Sequence, residues 1–421
     1  MRGPMRGPMR GPMRGLMRGP MHGPMRGPMR GPMRGLMHGP MRGPMRVALA
    51  FFGFAAIVVG GAGSARAYPA FQLSTGAKRC NQCHVAPAGG GLLSGYGRDE
   101  SADTVSRGGD GRVLHGLFEP PDWLAFGGDF RVAGLVNATG SADAPGGGMA
   151  VASPQLAAFP MQSDLYVQAK WRSLSVHLTL GLRGAVRRTE VEPISLVISR
   201  EHFVMWRAAQ QGPYVRIGRF FAPFGLRLAE HPVWVRRTLG FHTLEETYNV
   251  SGGAVKNEWE LHATAFTYDP LRPVVQRARG GSLLGERRVG DALALGAQAR
   301  VAIESDESRR IGGGYLKWWL EGPRLMLMAE ADYVHHTISG VDYANHQLAA
   351  YAGLTWFPVQ GLLATVAGER FDEDLHDTRA TRHAASAHLQ WFPRAHLEVS
   401  LYGRATNTDG KLLMLQFHYY L

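Results

Sequence analysis

Leu413-Met414-Leu415-Gln416-Phe417-His418-Tyr419-Tyr420-Leu421 is the stretch that decides the fold. Leu413, Leu415, Phe417, Tyr419 and Leu421 share one parity; Met414, Gln416, His418 and Tyr420 share the other. In an extended chain the two sets point to opposite faces. The same period recurs upstream. Leu174, Val176, Leu178, Leu180 and Leu182 alternate with Ser175, His177, Thr179, Gly181 and Arg183, and Leu397, Val399 and Leu401 alternate with His396, Glu398 and Ser400.

Alternating segments of roughly ten residues run from Trp123 to Leu421 with no uninterrupted helical span. A soluble β-sandwich would also alternate. It accounts less well for some 300 residues of the pattern, the apolar terminal strand and the aromatic strand ends (Trp171, Trp206, Trp356, Trp391, Tyr419, Tyr420). The expectation is an all-β transmembrane outer-membrane barrel over 122–421. Its apolar set faces lipid and its polar set the lumen, because every backbone group in hydrocarbon must pair within a closed sheet. Short turns are expected near Arg172-Ser173, Gln210–Pro213, Glu321–Pro323, Phe357–Gly361 and Pro393–Ala395, and longer links near 138–160, 188–195, 335–343 and 371–382. Placing short turns in the periplasm, fifteen visible strands clash by one, so a strand hides between about 227 and 291. Sixteen strands restore an even count and imply an aqueous lumen.

The other end of the chain needs separating from this. Residues 1–44 are eleven copies of Met-Arg-Gly-Pro, with leucine for proline at 16 and 36 and histidine for arginine at 22 and 38. Such a tract packs no core. Because each copy opens with methionine, a repeated coding start is preferred over a functional basic tail, with the start near Met41 or Met45. Residues 45–67 then read as a cleaved signal peptide: Arg46, an apolar run from Val47 to Val59, and Ala65-Arg66-Ala67 before a mature start at Tyr68. Thirteen residues are too few to cross the bilayer as a helix. The formal charge of +12 includes ten arginines up to Arg46, and Arg66, while residues 1–67 hold no acid. Without those eleven charges about +1 remains, so the basic balance is no argument for a nucleic-acid partner.

Residues 68–121 carry Cys80-Asn81-Gln82-Cys83-His84, and these are the only cysteines in the chain. The spacing suits two thioether bonds to one haem c, with His84 as proximal iron ligand. A zinc site would want four ligands, and a thioredoxin-like dithiol a βαβ setting; neither is present. The segment is too small for a core of its own, so the barrel must house it as a plug.

Pro69-Ala70-Phe71, Thr75-Gly76, Cys80-x-x-Cys83-His84 and Tyr96-Gly97-Arg98 together resemble the single-haem cytochrome–porin fusions of outer-membrane iron oxidation and related extracellular electron transfer. Gly218-Arg219-Phe220-Phe221-Ala222-Pro223-Phe224-Gly225 looks like a strand end common in such barrels and in phosphate-type porins. The family pattern usually reads Phe-Gly-Arg where this chain has Tyr96-Gly97-Arg98, and the Thr75-Gly76 to Cys80 gap is one residue longer here. The resemblance implies electron transfer through the outer membrane, with a periplasmic cytochrome or other electron carrier on one side and an extracellular redox partner on the other. Ferrous iron is one such extracellular substrate.

A filled second axial position would suit electron transfer and an open one catalysis. His115 is the first candidate distal ligand; His418, Met414, His177 and His262 are lumen-facing rivals by parity, and Met149 reads as a loop methionine. His335-His336 point to opposite faces, a poor joint metal site. Arg183, Arg216, Glu258, Glu260, Glu330, Asp332, Glu398 and Arg404 share inward parity, as a wet lumen requires. No phosphate-cradling loop, H-E-x-x-H or nucleophile elbow occurs. The leading expectation is an electron conduit. The alternatives are a solute-conducting porin with a structural haem, and a haem sensor or catalyst.

Overall fold

The computed structural model describes residues 68–138, 140–141, 150–151, 155–182, 197–242, 245–270, 277–377, 379, 381–408 and 410–421. The repeats, the signal segment, Met149 and Arg183 lie outside the described residues.

Sixteen antiparallel strands close into one barrel. The first, Leu124–Ala138, pairs with the last, Lys411–Tyr420, from Asp129↔Tyr420 to Ala138↔Lys411. Closure leaves no unpaired sheet edge. Parity is as the sequence implied: Leu413, Leu415 and Phe417 are exposed on the outer wall while Gln416 and His418 are buried within. Val176, Leu178 and Leu180 likewise face out, and Ser175, His177 and Thr179 face in.

The expected short turns all occur, since strands end and resume at Trp171/Leu174, Arg207/Gly212, Leu320/Leu325, Val359/Leu362 and Arg394/Leu397. The 227–291 interval holds Thr247–Val255, Trp259–Thr267 and Arg279–Val289. Asn249 and Gly252-Gly253 blunt the alternation in the first of these. Glu258 is not a lumen residue: it is exposed in the turn between Val255 and Trp259, where strand parity does not apply. Trp123, Trp171, Trp206, Trp259, Trp318, Trp356 and Trp391 are all exposed at the short-turn end. They form an aromatic girdle of the kind that sits at a membrane interface.

The lumen holds more than water. After Phe220 the chain turns inward, and Phe224, Leu226, Leu228, Val233, Trp234, Val235, Leu239 and Phe241 pack in one cluster with Tyr315, Met326, Met328, Tyr351 and Phe371 of the wall. Wall carboxylates hold this inward segment by its backbone: Leu226 N–H donates to Glu330 (2.9 Å) and Trp234 N–H to Glu369 (2.8 Å). Gly225 sits at φ +59°, and an added Cβ would strike the Glu330 carboxylate. The inward Glu330 and Glu369 thus serve to fasten a loop, which parity alone does not reveal.

At the short-turn end, residues 68–118 close the mouth. Asn81 Nδ2 donates to Gln210 O (2.8 Å), Lys78 pairs with Asp291 (2.7 Å), Gln360 Nε2 donates to Ser106 O (2.6 Å) and Ala395 N to Gly108 O (2.9 Å). Phe71 packs edge-on against Tyr68, Phe357 and Phe392. A segment too small to fold alone therefore borrows its core from the barrel wall, each fully buried apolar side chain contributing about 1.5–3 kcal/mol.

Candidate functional site

Cys80–Cys83 is a single helical turn, which puts both thiols on one face. Its start is fixed by Gln82, whose Oε1 accepts from Lys78 N (2.7 Å) and Arg79 N (2.9 Å). The turn stops at His84, which is extended (φ −119°, ψ 151°) and bridged to Leu93. Gly89, Gly90 and Gly91, all at positive φ, let the chain double back so that Val85 N–H reaches Leu92 O at 3.0 Å.

Ser94 then joins the two halves. Its N–H donates to Cys83 O (2.9 Å), and its Oγ accepts from Gly97 N (3.1 Å) to cap the helix Gly95–Glu100. A Cβ on Gly97 would overlap the Cys83 carbonyl, so the middle residue of Tyr96-Gly97-Arg98 must be small. Arg98 reaches the carbonyl of Phe126 on the first strand and ties this helix to the wall. Gly97 thus lets the helix pack against the cysteine turn, and Arg98 anchors that helix to the wall.

Cys80, Cys83 and His84 line one cavity of about 950 Å³, counting its open mouth. Phe71, Ala77, Leu93 and Val105 of the plug and Phe392, Tyr420 and His418 of the barrel complete a largely apolar lining. Burial pushes the Cys80 thiol above its ordinary range, and burial with the Cys80 charge pushes Cys83 up to about 12. Burial lowers His84 to about 4, so its imidazole is neutral near pH 7 and fit to ligate a metal. Its Nδ1 is buried with no hydrogen-bond partner. Two thiols, a neutral imidazole and an apolar cavity make a donor set that fits a covalently attached iron porphyrin.

The surroundings of Cys80 were not legible beforehand. Arg227 of the inward segment points Nη2 at Cys80 Sγ (3.5 Å), bonds the Ala88 carbonyl and pairs with Glu260 (3.5 Å). Glu260 also pairs with Arg288 (2.6 Å), which pairs with Glu286 (3.0 Å), which pairs with Lys317 (2.6 Å). Gln72 closes the set, accepting from Lys317 Nζ (2.5 Å) and donating to Glu286 (3.1 Å). Five charged groups, one from the inward segment and four from three barrel strands, meet beside the cysteine turn.

The distal candidates fall in different places. His115 is outside the cavity lining; its ring lies 4.8 Å from that of His396, and its Nδ1 is 3.2 Å from Asp110 O. Leu114 and His115 both have positive φ in the short turn Val113–Gly116, which packs on the barrel at His396, whose Nε2 lies 3.0 Å from Arg112 O. His418 does line the cavity, but its Nδ1 is held by Glu398 (2.8 Å) and its Nε2 by Asp129. His262 bonds Tyr214 (2.7 Å), and His177 stacks on Phe203 at 4.7 Å. Met414 lines a separate cavity with Glu230 and His388. Among the described residues no three His, Cys, Asp or Glu side chains already converge as metal ligands.

No protein-family model matches this chain, and no curated protein matches it in sequence. Solved structures do match. OmpT of Vibrio cholerae aligns at TM-score 0.52 and 9% identity over 72% of this chain and 99% of its own. OmpF of Salmonella typhi, in complex with daunomycin, aligns at 0.51 and 9% over 71% and 97%. The outer-membrane channel DcaP of Acinetobacter baumannii aligns at 0.50 and 12% over 72% and 99%. The chain has the porin barrel fold. At these identities the likeness covers fold alone.

Proposed function

We propose that this chain is an outer-membrane barrel that passes electrons between an extracellular partner and a periplasmic carrier through one covalent haem c. The observation that carries the reading is the convergence of Cys80, Cys83 and His84 on one apolar cavity roofed by the barrel. Membrane placement is supported by the apolar outer wall and the tryptophan girdle. The plug lies at the short-turn end, the periplasmic end in this class of barrel.

Each thiol would add across one vinyl group, its sulfur bonding one carbon and its hydrogen going to the other. His84 would supply the proximal nitrogen. When bound, the group supplies reversible one-electron chemistry at iron. The rest is the chain's own work: Phe71, Val105, Phe392 and Tyr420 exclude water, and Ser94 and Gly97 hold the cysteine turn in shape. His115 packs on His396 and both nitrogens of His418 are engaged by carboxylates, so His84 is the one histidine given to the group. One such group cannot span a hydrophobic layer of about 30 Å, so carriers on both sides complete the path.

The test uses intact cells and a membrane-impermeant reductant, with the haem absorption bands as readout. Reduction from outside supports the conduit. An unreduced haem in folded protein removes it. A second reading, a solute channel with a bracing haem, draws on the fold shared with outer-membrane channels. A Cys83→Ala variant with no covalent haem and full conductance in planar bilayers would favour it.

A further inference from the structure

His335 and His336 are separated by strand parity, but His335 gains a different neighbour. It stands directly opposite His346 in the pairing of Leu325–Ile338 with Ala344–Val359. The two rings lie 5.2 Å apart, centroid to centroid. His376, from the link after Asp372, has its ring centroid 5.1 Å from that of His346. Leu375 N–H donates to His346 O (2.7 Å), which pins that link against the strand.

These spacings have a chemical meaning. A metal–imidazole bond of about 2.0–2.1 Å puts a ring centroid roughly 3.2 Å from the ion. Two imidazoles at a tetrahedral angle are then separated by roughly 5.2 Å. The second observation is the engagement of the far nitrogens. His376 Nδ1 faces Asp374 Oδ1 at 3.1 Å, His346 Nδ1 is bonded by the Tyr333 hydroxyl, and Asp374 is bonded in turn by Tyr343. Metal-bound histidines are oriented in this way, one nitrogen on a carboxylate or hydroxyl and Nε2 left for the ion.

We infer that His335, His346 and His376 bind one divalent first-row metal ion of the imidazole-preferring class, at the loop end of the outer wall. The cross-strand pair supplies two nitrogens on a rigid sheet. A turn of the exposed His376 ring, on a link rather than a strand, brings in the third. This site is independent of the cysteine turn and of the reading given to it.

Calorimetric titration of the purified, detergent-folded protein with zinc chloride tests it. The wild type takes up zinc; His335→Gln and His376→Gln each weaken one equivalent at least ~10-fold, and Asp374→Asn weakens it by about 10-fold through loss of orientation. The three side chains are on the rim, and the heat-dependent gel shift of a folded barrel confirms that each variant folds. No zinc uptake by the wild type, or uptake unchanged in His335→Gln and His376→Gln, overturns the site.

Discussion

The guanidinium of Arg227 lies 3.5 Å from the sulfur of Cys80. One residue belongs to the inward segment and the other to the N-terminal plug, so two inserts that enter from opposite ends of the barrel meet at the cysteine turn. Glu260, from the wall, completes the junction.

Replacing Arg227 by glutamine should loosen the plug. Glu260 keeps Arg288 at 2.6 Å, so no carboxylate is stranded, and the loss is closer to that of buried hydrogen bonds, about 1–3 kcal/mol. Limited proteolysis across a urea series should release the plug at lower urea in Arg227→Gln than in wild type while the barrel stays intact.

Gly97→Ala should cut the yield of covalently loaded protein several-fold, since the added methyl meets the Cys83 carbonyl and overpacking costs about 1–3 kcal/mol. Gly95→Ala is the control: a methyl added there meets nothing within 4 Å, so its yield should match wild type. Haem staining of denatured protein compares the two.

The inward segment should respond to acid through Glu230. Burial raises its carboxyl, but His388, 3.1 Å away, together with a backbone hydrogen bond and the Arg236 charge, outweighs this and holds it below the ordinary 4.5. A depressed carboxyl contributes stability above its unfolded value and loses it as pH falls through the folded one. Conductance in planar bilayers should therefore be steady above pH 4.5 and rise as pH falls below it. Glu230→Gln should remove that step.

Outward Leu415, paired with outward Leu401, marks the lipid-facing wall. Leu415→Arg should destabilise folding into lipid vesicles by about 2–4 kcal/mol if it lies near the bilayer midplane. Urea titrations in vesicles check this; an unchanged midpoint would mean that the wall does not face hydrocarbon.

Period-two alternation made the barrel, its inward and outward sets and most of its turns readable, because side-chain direction in a strand is a local property. The run through Leu174–Leu182 is the clearest case. Local sequence also marked Cys80, Cys83 and His84. What stayed hidden is non-local. Nothing local marks Phe224, Trp234 and Phe241 as the packing of a segment that enters the lumen. Arg227, Glu286, Arg288 and Lys317 become one network only when the inward segment is folded against the wall strands. Glu258 misled because parity was carried past a strand end. His346 gave no sign of facing His335 before the register was known.

The most direct test is the intact mass of the denatured, purified polypeptide. The account predicts the mass of the mature chain plus one haem, lost in Cys80→Ala/Cys83→Ala. A bare polypeptide with two titratable thiols, from cells competent to attach haem c, would contradict it.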